Sequence, residues 1–374
     1  MTKQSDMAKA HEPLFHIVKR TDLPMWKSWL IRVLSVLCAL IVCAVVIVVV
    51  TGDNPIKIYG TMVNGAIGSP RRVWALMQGV AMLLCVSLAV TPAFKMRFWN
   101  IGAEGQVLMG GMGATACMIL FGKTLPAPLV LILTIAVSII CGAVWGVIPA
   151  IFKAFWNTNE TLFTLMMNYI AIQIVSYFTY IWSSNKGNNV INTINAETHA
   201  GWLELPSSVD RYGYLLNIII VAGLTVFMYF YLKNSKQGYE ISVVGESVNT
   251  AKYIGINVKK VIIRTMLISG ALCGVAGLLL VSGTDHTITP DTAGGRGFTA
   301  IMVSWLAKFN PLFMILTSLL LVFMQKGATE ISTVFGLNTS FSDIITGIII
   351  FFIIGSEFFI NYTIKFRSKE VNAA

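Results

Sequence analysis

The chain has 374 residues, of which 56% are hydrophobic and 12% are charged, and its formal net charge is +10 at pH 7. Soluble domains carry about 25% charged residues, so this composition excludes a soluble globular protein. The apolar residues form runs close to the roughly 20 residues that a helix needs to cross a bilayer. The sequence therefore predicts an all-α polytopic membrane protein. Lys and Arg accumulate in the cytoplasmic loops of such proteins, so the positive charge does not indicate a nucleic-acid partner.

Ten membrane segments are predicted in a transmembrane domain, 30–362, between an N-terminal tail, 1–29, and a C-terminal tail, 363–374. They are 30–51, 73–93, 101–121, 128–152, 161–182, 214–232, 262–282, 297–307, 311–328 and 341–362. The segment 297–307 is too short to cross a bilayer alone. Because irregular backbone is tolerated where it faces protein or a water-filled cavity, we expect residues 283–297 to form a re-entrant or half-helix element.

The distribution of basic residues predicts the orientation. With a cytoplasmic N-terminus and ten crossings, 19 of the 27 Lys and Arg residues fall on the cytoplasmic side. The positive-inside rule counts these residues close to the membrane, so the excess favours both termini on the cytoplasmic side.

Two connections are long. The 183–213 loop, predicted outside, is rich in Asn and contains Trp202, and we expect it to carry a short helix or a docking surface. The 233–261 loop, predicted inside, places Val244, Val248, Ala251 and Gly255 at helical spacing.

That spacing predicts one short helix in the 233–261 loop, which Gly245 could open and Gly255 could close. Such a helix would either fit a groove on a soluble partner or lie on the lipid headgroups. The residues predicted to form its surface are Gly245, Glu246, Val248, Asn249, Ala251, Lys252 and Gly255.

Four ordered motifs carry a family resemblance. They are GYEISVVGESVNTAKYIGINV at 238–258 with SGALCGVAGL at 269–278, FWNIGAEGQVLMG at 98–110, NETLFTLMMNYIA at 159–171 and GRGFTAI at 295–301. The sequence resembles the ABC-importer permeases for branched-chain amino acids, ribose and other simple sugars, and nucleosides. The second and third motifs resemble the nucleoside and simple-sugar subgroup.

The resemblance implies a bacterial plasma-membrane permease with broken helices in two pseudo-repeats, forming half of a pore. A second permease subunit, either a related chain or a self-copy, would complete the pathway for a small polar solute. A cytoplasmic ABC ATPase would supply energy and grip the 233–261 loop, and an extracytoplasmic binding protein would deliver the solute. Nucleosides are favoured over simple sugars by the NIGAEGQ stretch alone.

The sequence agrees with a chain that does not bind ATP itself. It contains no GxxxxGK[ST] phosphate loop, and Gly122-Lys123-Thr124 has Cys117 where the first glycine would stand. The six cysteines lie in apolar runs without a CxxC pair or a Cys/His cluster. We therefore expect no catalytic residues, no cofactor and no metal.

Glycine-rich stretches and polar residues mark a candidate solute pathway. Interrupted helices at equivalent positions of two repeats often border the substrate route, but glycines also allow close helix packing, as expected for Gly142 with Gly146 and Gly270 with Gly274. The pathway candidates are Asn100, Gly102, Glu104, Gly105, Gln106, Asn168, Gly295, Gly297 and Phe298.

Two of these residues have open alternatives. Glu104 is expected at or just inside the inner end of its span, where a carboxylate is a functional candidate by default. It could instead pair with Lys95 or Arg97 and brace the helix break. Asn168 either lines the route or bridges helices through hydrogen bonds.

An ion-driven secondary transporter is the alternative from another class. It would usually place carboxylates or histidines deep in several spans, whereas Asp343 and Glu357 lie near segment ends and all four histidines lie outside the spans.

Overall fold

The computed structural model describes residues 15–20, 23–52, 54–183, 191–206 and 213–366. Most of the predicted N-terminal tail, the last eight residues, and the asparagines Asn185, Asn188 and Asn189 lie outside the described residues.

The described chain consists almost entirely of helices. They are α1 (Met25–Thr51), α2 (Pro55–Ile67), α3 (Pro70–Lys95), α4 (Ala103–Phe121), α5 (Ala127–Trp156), α6 (Glu160–Trp182), α7 (Leu215–Asn234), α8 (Lys236–Glu246), α9 (Val248–Tyr253), α10 (Val258–Leu280), α11 (Arg296–Leu306), α12 (Pro311–Val334) and α13 (Thr339–Asn361). A π-helical turn (Val281–Asp285) extends α10, and two strands, β1 (Phe15–Lys19) and β2 (Tyr362–Phe366), flank the helices.

Nine of the described helices are long and apolar enough to cross a membrane. Each corresponds to a predicted segment, and the tenth prediction, 297–307, is the short helix α11. The all-α polytopic fold is therefore confirmed. The re-entrant or half-helix element expected at residues 283–297 is instead the end of the π-helical turn and a non-helical stretch that leads into α11. The helix α2 was missed, and the pseudo-repeat stays a prediction.

Short polar side chains fix where several helices begin. Their oxygens accept hydrogen bonds from backbone N–H groups of the first helical turn, which otherwise lack partners. These N-caps are Ser69 of α3, Asn159 of α6, Ser235 of α8, Ser247 of α9, Asn257 of α10 and Asn338 of α13.

The chain forms two compact units, residues 1–63 with 327–374, and residues 64–326. In the first unit, α1 packs against α13, and Arg32 forms a 2.5 Å ion pair with Glu357. Strands β1 and β2 pair antiparallel from Phe15↔Phe366 to Lys19↔Tyr362. Because β1 precedes α1 and β2 follows α13, the pairing brings the two ends of the described chain together.

In the second unit, α4, α5 and α10 pack at backbone contact through glycines. A Cβ atom on Gly142 would lie 2.5 Å from the carbonyl oxygen of Gly270, and one on Gly110 would lie 2.6 Å from the Cα atom of Gly274. Real Cβ contacts are not this short, so these positions need glycine. The predicted packing role of Gly142, Gly270 and Gly274 is confirmed.

Candidate functional site

The site begins where α4 and α11 meet end to end. Glu104 lies in the first turn of α4 and is only 7% exposed. Its carboxylate oxygens accept hydrogen bonds from the backbone N–H groups of Gly295 and Gly297, each at 2.7 Å. Since a helix N-terminus carries partial positive charge, the first turns of both helices stabilise this buried carboxylate.

The close approach requires glycine at α11. Gly295 has a φ of 71°, in the left-handed region, and a Cβ atom on Gly297 would overlap the backbone nitrogen of Glu104. The alternative for Glu104 holds in part: Glu104 braces the helix break, but it does so without pairing with Lys95 or Arg97. The donors to Glu104 are backbone amides, and Lys95 donates to the Leu232 carbonyl at 3.3 Å.

A second set of polar side chains braces the connection between α3 and α4. Asn100 and Gln106 hydrogen-bond to each other, and the Asn100 amide donates to the Ser269 hydroxyl at 3.2 Å. Ser269 lies midway along α10. The network of Asn100 and Gln106 therefore lies deeper among the helices than the inner end of the span, where Glu104 was predicted.

From α6, Asn168 completes the brace. Its amide oxygen accepts from the Gly105 N–H at 2.8 Å, and its amide nitrogen donates to the Ile101 carbonyl at 2.9 Å. Asn168 therefore bridges helices, which was the alternative to its predicted place on the pathway. Gly102 donates to the Asn100 side chain at 3.1 Å and belongs to the same network.

The predicted pathway residues divide into buried and accessible ones. Asn100, Glu104, Gln106 and Asn168 are buried and hydrogen-bonded to one another or to nearby backbone and side chains, so they hold the junction instead of lining an open route. Phe298 of α11 is 42% exposed.

Aromatic side chains gather at the C-terminal end of α11. The rings of Trp99 and Trp305 stack with centroids 5.7 Å apart, and Phe94 meets both edge-on. Trp305 is 48% exposed and lies seven residues after Phe298, on the same helical face. The accessible face of α11 is therefore aromatic.

A polar cavity lies at the N-terminal end of α11, before its first turn. Its volume is about 390 Å³, and its lining includes Asp285, Asp291, Thr289, Thr292 and Arg296. This cavity was not predicted from the sequence. The signal was the polar stretch 283–296 between apolar segments.

The described part of the 183–213 loop covers the same end of α10. Ile194 donates to the His286 carbonyl at 2.9 Å, and Leu203 donates to the Ser282 carbonyl at 2.8 Å. The Trp202 ring lies between the rings of His199 and His286, with centroids 4.2 and 3.7 Å away. Residues 191–206 contain no helix, and the docking surface expected of the 183–213 loop stays a prediction.

The 233–261 loop lies at the other end of α10 and forms two helices. The chain breaks at Ser247, which is extended with a φ of −157°. The prediction of one helix opened by Gly245 is therefore wrong, because α8 continues through that residue to Glu246. Gly255, with a φ of 83°, follows the end of α9 near the predicted stop.

One side of these two helices packs against the transmembrane helices. Ile241, Val244 and Ala251 are buried in a cluster with residues of α3, α5 and α10. A Cβ atom on Gly245 would overlap the Lys95 carbonyl. Gly245 and Ala251 are thus buried supports, which corrects their predicted place on the surface.

The other side of α9 is exposed and partly apolar. Val248 is 45% exposed, Tyr253 is 92% exposed, and Ile254 lies beside them. The remaining predicted surface residues, Glu246, Asn249, Lys252 and Gly255, are exposed as well. Tyr253 was missed because the prediction followed one uninterrupted helical face.

Comparison with known proteins agrees with this architecture. Residues 73–354 match the family model described as branched-chain amino acid transport system / permease component. The match spans every motif quoted above and both helices of the 233–261 loop.

Individual relatives match over most of their lengths. The guanosine ABC transporter permease protein NupP of Bacillus subtilis is 30% identical over 86% of this chain and 90% of its own. The glucose ABC transporter permease protein TsgB13 of Haloferax volcanii is 27% identical over 92% of each chain. The nucleoside ABC transporter permease protein NupB of Lactococcus lactis is 27% identical over 82% of this chain and 86% of its own.

These relatives are permease components, the membrane parts of transporters and not their ATPases. With helices able to cross a membrane several times and a family match over most of its length, the chain belongs to the permease component family of branched-chain amino acid transport systems.

Proposed function

We propose that this chain is the membrane subunit of an ABC importer and forms half of the pathway for a small polar solute, with nucleosides as the preferred substrate class. The observation that carries the proposal is the two-sided structure of the 233–261 loop. Its buried side is attached to α3 and α10, and its other side presents Val248 and Tyr253 away from the helices that hold it.

This arrangement suits the transfer of force from a separate ATPase. A soluble partner that grips Val248, Tyr253 and Ile254 would move α8 and α9 together with the ends of α3 and α10. The same α10 leads to the π-helical turn and the cavity before α11. Movement at the 233–261 loop would therefore reach the junction held by Glu104.

The other partners follow from the family and the missing phosphate loop. A cytoplasmic ABC ATPase would supply the energy, a second permease subunit would complete the pore, and an extracytoplasmic binding protein would deliver the solute. We assign both termini to the cytoplasm because 19 of the 27 Lys and Arg residues then lie on that side. The pairing of β1 with β2 brings the two ends of the described chain together, which supports placing both termini on one side of the membrane.

The substrate assignment rests on two supports. NupP and NupB transport, by their names, guanosine and nucleosides, and the accessible face of α11 presents Phe298 and Trp305, whose rings are suited to stacking on a nucleobase. The name of TsgB13 keeps glucose as the second candidate.

The coupling proposal is tested by Val248→Asp and Tyr253→Ala in the assembled transporter. Both should reduce ATP-driven uptake at least ten-fold and weaken co-purification of the ATPase, because a hot-spot residue of an interface contributes about 2 kcal/mol or more. Thr198→Asp places the same charge on the 191–206 segment and should leave both measurements unchanged. Normal uptake and normal ATPase retention in the two loop variants would contradict the coupling role.

The substrate proposal is tested by uptake of labelled guanosine and labelled glucose in membrane vesicles supplied with ATP. We expect guanosine to be transported and glucose to compete poorly. Uptake without ATP would overturn the assignment to ABC importers, and preferential glucose uptake would replace nucleosides by sugars.

A further inference from the structure

Two carboxylates of the cavity before α11 interact, within the described part of the chain, with charge but not with hydrogen-bond donors: Asp285 faces the positive charge of Arg296. Asp285 and Asp291 both line the cavity and are exposed to it. Among the described residues, no donor lies within hydrogen-bonding distance of either carboxylate. A carboxylate accepts hydrogen bonds through both oxygens and donates none when ionised, so the cavity offers acceptors to an occupant rich in donors.

Threonine hydroxyl groups and one cation also line the cavity. The Thr289 and Thr292 hydroxyls lie 3.3 Å apart, and each retains capacity for a further hydrogen bond. The Arg296 guanidinium is held at its Nη1 atom by the carbonyls of Thr292 and Ala293, at 3.2 and 3.1 Å. Its remaining N–H groups can donate to an oxygen of an occupant.

The charges select the class of occupant. Two carboxylates and one guanidinium leave the lining with a net negative charge, which disfavours phosphorylated and other anionic solutes. No group of three His, Cys, Asp or Glu residues that could hold a metal ion occurs in the described residues. An uncharged solute with several hydroxyl groups is not repelled by the negative lining and needs no metal ion to bind.

The size agrees with this class. Small-molecule sites usually enclose about 300–1,000 Å³, and the cavity encloses about 390 Å³. Two neighbouring hydroxyls of a sugar ring can donate to the two oxygens of one carboxylate, which gives a paired, charge-assisted interaction.

From these observations we infer that the cavity before α11 binds the vicinal hydroxyl groups of the transported solute through Asp285 and Asp291. The cavity lies at the end of α10 covered by residues 191–206, which in the proposed orientation is the side where a binding protein releases its cargo. This inference rests on the proposed function for the direction of transport, but the binding chemistry is independent of it. The vicinal diol could belong to the ribose of a nucleoside or to a free sugar.

The first test uses the assembled transporter in proteoliposomes with ATP. We expect Asp285→Asn and Asp291→Asn each to raise the KM for guanosine about ten-fold, the effect of weakening a hydrogen bond to a charged group. The KM for 2′,3′-dideoxyguanosine should not change, because that analogue lacks the diol. Glu197→Gln, which neutralises an exposed carboxylate in the 191–206 segment, is the matched control and should resemble the unmodified protein.

A parallel arm uses glucose and 2,3-dideoxyglucose, which has no vicinal diol, and distinguishes a free sugar from a nucleoside as the source of the diol. A loss confined to glucose would support the inference with a sugar as the solute. An equal loss for guanosine and its dideoxy analogue, or no loss in either aspartate variant, would overturn the inference while leaving the proposed function intact.

The second test measures binding without transport. In saturation-transfer NMR on the full chain in nanodiscs, the ribose protons of guanosine should receive saturation from the unmodified protein and much less from the Asp285→Asn/Asp291→Asn double variant. Failure of all uptake in the first test would count against the proposed function, and this measurement would still decide the cavity. Equal saturation of the ribose protons in both proteins would overturn the inference.

Discussion

The carboxylate of Glu104 holds the N-terminus of α11 by accepting hydrogen bonds from Gly295 and Gly297, which lie 191 and 193 residues further along the chain. Two helix N-termini thus meet at one buried acidic side chain. Because the accessible face of α11 and the cavity before it both depend on where this helix begins, the contact positions the whole candidate pathway.

Glu104→Gln should lower the free energy of unfolding by about 2 kcal/mol, since one charge-assisted pair of hydrogen bonds becomes a neutral one in which the amide nitrogen faces an N–H group. Glu104→Ala should cost more, because both backbone donors lose their partner. Thermal unfolding in detergent measures stability, and ATP-driven uptake should fall in the same order. The exposed Glu197→Gln variant provides the reference, and equal behaviour of all three variants would contradict the role of Glu104.

Gly142→Ala should destabilise the protein by about 1–3 kcal/mol, as overpacking of a tight core does. The added methyl group would lie 2.5 Å from the Gly270 carbonyl oxygen and force α5 and α10 apart. Gly223→Ala in α7 is the matched control, because a Cβ atom there has no heavy atom within 4 Å. Thermal unfolding of the two variants should separate them clearly, and similar melting temperatures would show that α5 and α10 tolerate the methyl group.

Asn168→Leu should destabilise the junction by about 2–4 kcal/mol. The change removes an acceptor from Gly105 and a donor from Ile101 and leaves one buried and one partly buried backbone group without partners. Gln173→Leu, five residues later on α6, is a suitable control because Gln173 lines a shallow apolar surface depression. Equal effects of the two substitutions on thermal unfolding would show that Asn168 does not brace the junction.

His286 should make stability depend on pH. Burial lowers the pKa of His286 below its ordinary value near 6.5; the His199 charge also lowers it, and the Glu204 carboxylate opposes the shift by raising it. Above pH about 6.5 the contribution of neutral His286 is fully present. As the pH falls through that value, the unfolded chain binds a proton that the folded chain resists, so stability decreases.

His286→Phe keeps a ring against Trp202 and removes the titration. Between pH 7.5 and 5.5, the unmodified protein should lose more in melting temperature than the variant. The same fall in both proteins would assign the acid sensitivity to other groups.

The 233–261 loop shows what a periodic pattern can and cannot predict. Helical spacing located the element, and Gly255 marked its end. The pattern did not reveal the break at Ser247. Ser247 is extended and caps α9, and this break depends on the position of α8, which Gly245 fixes by packing against Lys95. Which apolar residues faced inward therefore depended on α3, which is distant in sequence.

The buried polar residues show the same limit. Glu104 and Asn168 were recognisable from sequence, since polar groups in an apolar span need partners. Their partners were not recognisable, because a backbone amide has no sequence signature. The pairing of β1 with β2 was missed for a related reason, as a pattern argument does not match two strands more than 300 residues apart.

The sequence by itself determined the membrane class, the positions of the long helices, the short helix at 297–307 and the family, because these follow from local hydropathy and from ordered motifs. Only the tertiary structure decided which polar side chains brace the junction, which face of the 233–261 loop is exposed, and that two aspartates and two threonines share a cavity. Those outcomes depend on close backbone contacts between helices remote in the chain, and such contacts are set by packing geometry.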